Sequence, residues 1–144
     1  MQKTRATKAS EVKRSWHFLD ARDQVLGRLA SQVAQLLIGK NKPNWAPYLD
    51  MGDYVVVINA KDVVVTGKKE TQKIYYRHSG YPGGLKAETL KELRERRPEE
   101  IIRKAVKGML PKTKRGRKMI TKLYVYPGPE GEMVGKAKAV KKEN

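Results

Sequence analysis

Tyr54-Val55-Val56-Val57-Ile58 runs apolar without a polar interruption. A half-buried strand alternates apolar and polar residues; an unbroken β-branched run suits a strand covered on both faces, and hence a parallel sheet sheltered by helices. The neighbouring segments fit that frame. Upstream, Trp16-His17-Phe18-Leu19-Asp20 is a plausible first strand, and Leu26, Leu29, Ala30, Val33, Leu36 and Leu37 recur at helical spacing. Asp23 is placed to cap that helix, and Gly39 with Pro43 ends it. Downstream, Val63-Val64-Val65 is a shorter run of the same kind, and Ile74-Tyr75-Tyr76 predicts another strand opening into a loop over residues 77–86. Thr89-Leu90-Lys91-Glu92 has the form of a capping box. Pro98 closes that helix and suits the first turn of the next, which buries Ile101, Ile102, Ala105, Val106 and Met109 and turns Arg103, Lys104 and Lys107 outward. Leu123-Tyr124-Val125-Tyr126 is the last expected strand, stopped by Pro127-Gly128-Pro129. This order argues for an α/β domain over residues 16–128, three layers α/β/α around a small parallel sheet. A basic arm (1–15) and a lysine-rich tail (129–144), expected to be disordered alone, flank it.

The chain has 144 residues, with 32 Lys plus Arg against 15 Asp plus Glu, a net charge of +17. Such a protein repels itself, and the expected companion is a polyanion. Nucleic acid is favoured over membrane. No apolar run approaches the length needed to span a bilayer, and no basic amphipathic helix is suited to lying on one. The absence of cysteine excludes disulfides and thiolate chemistry. The cationic N-terminus has no apolar segment behind it, so a secretory signal is not expected, and an intracellular, cytoplasmic protein is.

Enzyme motifs are weak. The Gly-x-Gly-x-x-Gly fingerprint is missing, and Gly67-Lys68-Lys69 lacks both the upstream glycine and the hydroxyl residue of a phosphate-binding loop. His17 and His78, the two histidines, have no metal-like spacing. Asp20, Asp50, Asp53 and Asp62 cluster at strand ends, where a metal-dependent nucleic-acid enzyme is conceivable, but caps and turns explain them more economically. No small-molecule substrate, metal or cofactor is expected.

The basic segments carry more information, because their cations coincide with residues that shape backbone or stack on bases. Lys40, Lys42 and Trp45 share one loop. Arg77, His78, Tyr81 and Lys86 share another, where Gly80, Gly83 and Gly84 permit close approach of an RNA strand. The third is Val106-Lys107-Gly108-Met109-Leu110-Pro111-Lys112-Thr113-Lys114-Arg115-Gly116-Arg117, a helix end running into a loop with five cations in residues 112–118. A surface meeting ~6–10 phosphates would lose roughly 10³–10⁵ in affinity between 50 and 200 mM salt.

From about Trp16 to Gly128 the chain resembles the bacterial large-subunit ribosomal protein thirteen family. The resemblance is carried by Leu26-Gly27-Arg28-Leu29-Ala30, Gly39-Lys40-Asn41-Lys42-Pro43, Gly52-Asp53-Tyr54-Val55-Val56-Val57-Ile58-Asn59-Ala60, Val65-Thr66-Gly67-Lys68-Lys69, Gly80-Tyr81-Pro82-Gly83-Gly84-Leu85-Lys86, Arg97-Pro98-Glu99 and the 106–117 segment, in that order. It implies a four-stranded, three-layer fold, no enzyme activity, and a structural role as a monomer within the large ribosomal subunit. There it would bind the main rRNA early in assembly beside neighbouring ribosomal proteins. It implies rRNA contacts at Lys40, Lys42, Lys68, Lys69, Tyr81, Gly83, Gly84, Lys86, Lys112, Arg115, Arg117 and Lys118. Charge and loop shape add Trp45, Arg77, His78 and Lys114. The chain departs from the family pattern after Val125-Tyr126-Pro127-Gly128, where a histidine-containing segment is usual, and at Asp23, where glycine is common. The alternatives are an RNA-binding regulator acting off the ribosome and the metal-dependent enzyme already weighed.

Overall fold

The computed structural model describes residues 5–142. In chain order the elements are β1 (Trp16–Asp20), α1 (Leu26–Ile38), β2 (Tyr54–Ile58), α2 (Lys69–Gln72), β3 (Ile74–His78), β4 (Leu85–Thr89), α3 (Leu90–Arg96), α4 (Pro98–Met109), α5 (Lys114–Ile120), β5 (Leu123–Val125) and α6 (Val134–Lys142). β1, β2 and β5 form a parallel sheet with β2 in the middle. β3 and β4 form a separate antiparallel hairpin. The chain is therefore mixed α/β. Among the described residues no helix is long and apolar enough to cross a membrane.

The unbroken apolar run of β2 has a direct cause. Val55, Val56 and Val57 are all fully buried. Successive side chains of a strand point to opposite faces, and here both faces are covered. Val55 and Val57 join Leu29, Val33 and Leu37 of α1 and Ile102 and Val106 of α4 in one cluster. Val56 and Ile58 join Val134 and Ala137 of α6, with Trp16, Phe18 and Tyr124 beside them. Trp16 stacks on Tyr54 with ring centroids 4.6 Å apart. A third cluster, Leu90, Leu93 and Ile101, joins α3 to α4.

Several expectations are corrected. The parallel sheet has three strands where four were expected. Val63-Val64-Val65 makes no strand; Val64 forms one isolated bridge with Val25. That bridge replaces the expected cap of α1. The residue before α1 is Val25, with no side-chain cap. Instead the Leu26 amide donates to the Val64 carbonyl at 2.9 Å, and the Val64 amide to that of Gln24 at 2.9 Å. Asp23 sits two residues earlier with φ 59°, a left-handed conformation that glycine adopts at lower cost. The loop expected over 77–86 is shortened to residues 79–84, the turn of a hairpin, since β3 runs to His78 and β4 begins at Leu85. The cation-rich segment expected as a loop is largely α5, and the expected disordered tail forms α6, with Val134 and Ala137 buried.

The arm at 1–15 falls partly outside the described residues. Its described part lies against the body: the Tyr48 hydroxyl donates to the Thr7 carbonyl at 2.8 Å, and Arg14 donates to the Asp50 carbonyl at 3.2 Å.

Candidate nucleic-acid interface

The β3–β4 hairpin owes its tip to glycine. Gly80 and Gly83 have φ of 90° and 71°, values that side-chain-bearing residues rarely adopt. A Cβ on Gly84 would come within 2.0 Å of Ser79 Oγ. The Gly84 amide donates to the Tyr81 carbonyl at 2.9 Å, closing the turn and leaving Tyr81 74% exposed. The Gly80 amide donates to His78 Nδ1 at 2.9 Å, which leaves Nε2 as the ring's own donor. Along the strands Arg77 lies directly opposite Lys86.

α5 is set by two local contacts. The Thr113 hydroxyl caps it by accepting from the Gly116 amide at 3.3 Å. Gly116 packs under the Pro111 carbonyl, where a Cβ would come within 1.7 Å of the oxygen. With Gly116 and Met119 turned inward, Lys114, Arg115, Arg117 and Lys118 are exposed, as is Lys112 just ahead of the helix. Between α4 and α5 runs a groove of about 710 Å³. Lys104, Lys107, Lys112 and Arg117 line it over an apolar floor of Leu110 and Ile120. A second hollow of about 450 Å³ brings Lys40 and Trp45 together with Arg115, seventy residues away from Trp45 in sequence. Lys68 and Lys69 stand exposed at the start of α2, just after Gly67 with φ 66°.

Lys42 is turned inward. Its ammonium donates to Asp53 Oδ1 at 2.6 Å, to the Met51 carbonyl at 2.7 Å and to the Lys13 carbonyl at 2.6 Å. Asp53, 2% exposed, also receives His17 Nε2 at 2.8 Å and the Ser15 amide at 3.0 Å. Burial alone would raise the Asp53 pKa. Hydrogen bonds from His17, Lys42 and Ser15 outweigh it and hold the carboxyl at about 2. Close by, the Lys122 ammonium reaches Asp50 Oδ1 at 2.5 Å and the Gly52 carbonyl at 3.1 Å. Burial pushes the Lys122 pKa down, while its bonding to Asp50 opposes that. Gly52 is needed there, because a Cβ would meet the Leu37 carbonyl oxygen at 1.6 Å. The aspartates weighed as a metal site do not converge. Asp50 and Asp53 are held by lysines, and Asp20 accepts from Asn59 Nδ2 at 2.9 Å.

The other candidate cations behave oppositely. Among the described residues, Lys40, Lys68, Lys69, Arg77, Lys86, Lys112, Lys114, Arg115, Arg117 and Lys118 form no ion pair. By contrast Arg94 is paired with Glu70 at 2.9 Å and Arg96 with Glu88 at 2.7 Å.

Lys104 is the residue absent from the sequence-derived site. It lines the α4–α5 groove, the hollow beside the hairpin and the hollow beside α2. Its ammonium also lies 4.8 Å from the centroid of the Tyr75 ring. The signal was present in sequence, since Lys104 and Lys107 share one face of α4. What marks them out is the neighbourhood that folding brings to that face.

An α/β body that holds Asp50 and Asp53 with lysines at the sheet ends, while its candidate loop and helix-end cations form no ion pair among the described residues, fits the polyanion-binding, nucleic-acid-binding class of protein. Comparison with known proteins narrows this. The family described as Ribosomal protein L13 matches residues 14–132. Large ribosomal subunit protein uL13 of Lachnospira eligens is 57% identical over 140 residues, covering 97% of this chain and 99% of that protein. The corresponding proteins of Roseiflexus sp. (strain RS-1) and Dictyoglomus thermophilum are 57% and 58% identical over 128 residues, 89% of this chain in each case and 88% and 90% of theirs. The chain belongs to the ribosomal protein L13 family.

Proposed function

We infer that this protein is a structural constituent of the large ribosomal subunit, a cytoplasmic ribosomal protein and not an enzyme. Family membership over residues 14–132 carries that conclusion. The rRNA-binding assignment of individual residues is our own. Lys40, Lys68, Lys69, Arg77, Lys86, Lys112, Lys114, Arg115, Arg117 and Lys118 neutralise phosphates, with Tyr81, Trp45 and His78 against bases or sugars. Gly83 and Gly84 let the hairpin tip come close to the RNA backbone. Lys104 and Lys107 join them. Support comes from the absence, among the described residues, of ion-pair partners for the candidate cations, and from the placement of Arg77 and Lys86 on the hairpin strands and of Lys114, Arg115, Arg117 and Lys118 on α5, which sets the spacing of phosphate contacts. The finer architecture of helices layered on both sides of the sheet is supported by the two clusters that divide the side chains of β2.

In this role the protein is a monomer among neighbouring ribosomal proteins, holding rRNA helices in register early in assembly. The test is sucrose-gradient fractionation of cell lysate in high-salt, magnesium-containing buffer. Stoichiometric co-migration with the large subunit is expected; recovery mainly in the free fraction would overturn the assignment.

A further inference from the structure

The hairpin has two unlike faces. Strand alternation and the register, Arg77 opposite Lys86 and Tyr75 opposite Glu88, put those four residues on one side. That side looks toward α4, as the position of Lys104 over the Tyr75 ring shows. The other side carries Ile74, Tyr76, His78, Leu85 and Ala87. It is uncovered: Ile74 is 41% exposed, Tyr76 65% and Leu85 60%, with Tyr81 at 74% on the adjoining turn. Those four make up half of the eight exposed large hydrophobic residues among the described ones, gathered on a single short hairpin. Scattered apolar residues need no explanation, but a contiguous face does.

Three features select unpaired RNA as its occupant. On the reverse side Arg77 and Lys86 oppose each other across the strands, and among the described residues neither forms an ion pair, Glu88 on that side being paired with Arg96. Tyr76 and His78 stand two residues apart on one strand, so their rings emerge on the same side about 7 Å apart. That is roughly twice the 3.4 Å step between stacked bases along one strand, a spacing that suits bases splayed one to a ring. Finally, the Gly80–His78 hydrogen bond fixes the plane of the imidazole and leaves Nε2–H for a base or phosphate acceptor.

We propose that the exposed face of the β3–β4 hairpin, with Tyr76, His78 and Tyr81 over Leu85, is a stacking platform for unpaired RNA bases. Arg77 and Lys86 on the reverse, with Lys104, hold phosphates of the same strand. The proposal rests on the RNA-binding role given above and adds the state of the RNA. A duplex keeps its bases stacked inside and cannot use such a face.

The test compares two probes on the purified full chain across a salt series: a single-stranded oligouridylate about a dozen nucleotides long, and an RNA duplex of equal length. Tyr76→Ala and Tyr81→Ala should each lower affinity for the single strand about tenfold. Neither removes a charge, so the salt slope should stay where it was. Duplex binding should not change, and Tyr76→Phe should keep single-strand affinity. Both tyrosines are more than half exposed, so alanine leaves the fold intact. Equal losses on both probes, or no loss on either, overturn the platform. So would variants that bind both RNAs normally yet fail to stay on the large subunit, an outcome that would give this face to a protein neighbour. A wild-type chain that binds neither these probes nor large-subunit rRNA overturns the functional assignment as well, and wild-type binding that Tyr76→Ala leaves untouched overturns the platform alone.

Discussion

Lys40 and Lys42 stand two residues apart in one turn and point to opposite surroundings. Lys40 is exposed at the rim of the hollow it shares with Trp45 and Arg115. Lys42 is folded back into a buried ionic knot with Asp53, His17 and backbone carbonyls. The same division separates Lys118, exposed on α5, from Lys122, which is 6% exposed and bonded to Asp50. A net charge of +17 is therefore not one surface. Lys42 and Lys122 tie the ends of the sheet, Arg94 and Arg96 pair with acids on the surface, and among the described residues the cations of α5 form no ion pair. Lysine serves both tasks because its long stem can turn either way; what decides is whether a carboxylate is within reach.

The division breaks hardest at Lys42. Lys42→Ala strands a carboxylate that is 2% exposed, with only His17 and the Ser15 amide to hold it. Removing one partner of a buried pair is costly, and a loss of about 3 kcal/mol is expected in denaturant unfolding. The salt slope of RNA binding should be unchanged. If the slope falls instead while stability holds, Lys42 is an RNA contact and the division fails.

Acid probes the same knot. The Asp53 carboxyl titrates at about 2 in the folded protein against 3.8 ordinarily. Between those values the unfolded chain binds more protons, so the stabilisation is complete above pH ~4 and lost as pH falls toward 2. Its size is about 2 kcal/mol. Unfolding free energies followed down through this range should show that fall in the wild type. Asp53→Asn should show a smaller fall, since Asp20 and Glu88 are also held below their ordinary values, and it starts from lower stability. A wild-type profile flat across the window would count against the knot.

The exposed half is tested with Arg115→Ala combined with Arg117→Ala. Neither guanidinium has an ion pair among the described residues, so stability should move by less than ~0.5 kcal/mol. Affinity for large-subunit rRNA should drop about tenfold or more, and the log–log salt slope should fall by about two, one for each phosphate contact removed. An unchanged slope in filter binding would sink the assignment of α5 to RNA.

Why so much of the body and so little of this division was legible follows from range. β2 is read correctly because burial on both faces leaves its mark in consecutive residues. α1 and α4 are read as helices because their buried faces recur every three or four, though Met109, expected inside, is 44% exposed at the end of α4. Lys42 looks like its neighbour because its partner is Asp53, eleven residues on, and nothing in either local sequence announces the pairing. β4 is missed because its strand has one neighbour and two largely exposed faces, so Leu85-Lys86-Ala87-Glu88-Thr89 lacks the apolar run that betrays a buried strand. α6 is missed because its apolar residues are few and small among lysines, too sparse to show a period; of its described side chains Val134 and Ala137 are buried. The glycines of the hairpin were legible as backbone freedom, but the use of Gly116 was not. That residue is chosen for the closeness of the Pro111 carbonyl, a distance only the fold supplies.

α5 offers the finest test, because it shows that the exposed cations are also placed. A helix carrying Lys114, Arg115, Arg117 and Lys118 within seven residues repels itself, and its glycine is a poor helix former. It holds together through the Thr113 cap, the seat of Gly116 under Pro111, and the burial of Met119. Thr113→Ala removes the cap acceptor while leaving every charge in place. The helix should lose about 1 kcal/mol and fray at the end where Lys114 and Arg115 project. Amide hydrogen exchange at Gly116 and Arg117 should quicken relative to wild type, while exchange in the β2 core should not. RNA affinity should weaken a few-fold with the salt slope retained, since the number of phosphates met is unchanged and only the cost of ordering the cations has risen. A loss of slope equal to that of the double arginine variant would mean that the charges depend wholly on the cap. No change in affinity, with faster exchange observed, would mean that the cations of α5 act as a diffuse charge and need no helix to hold them.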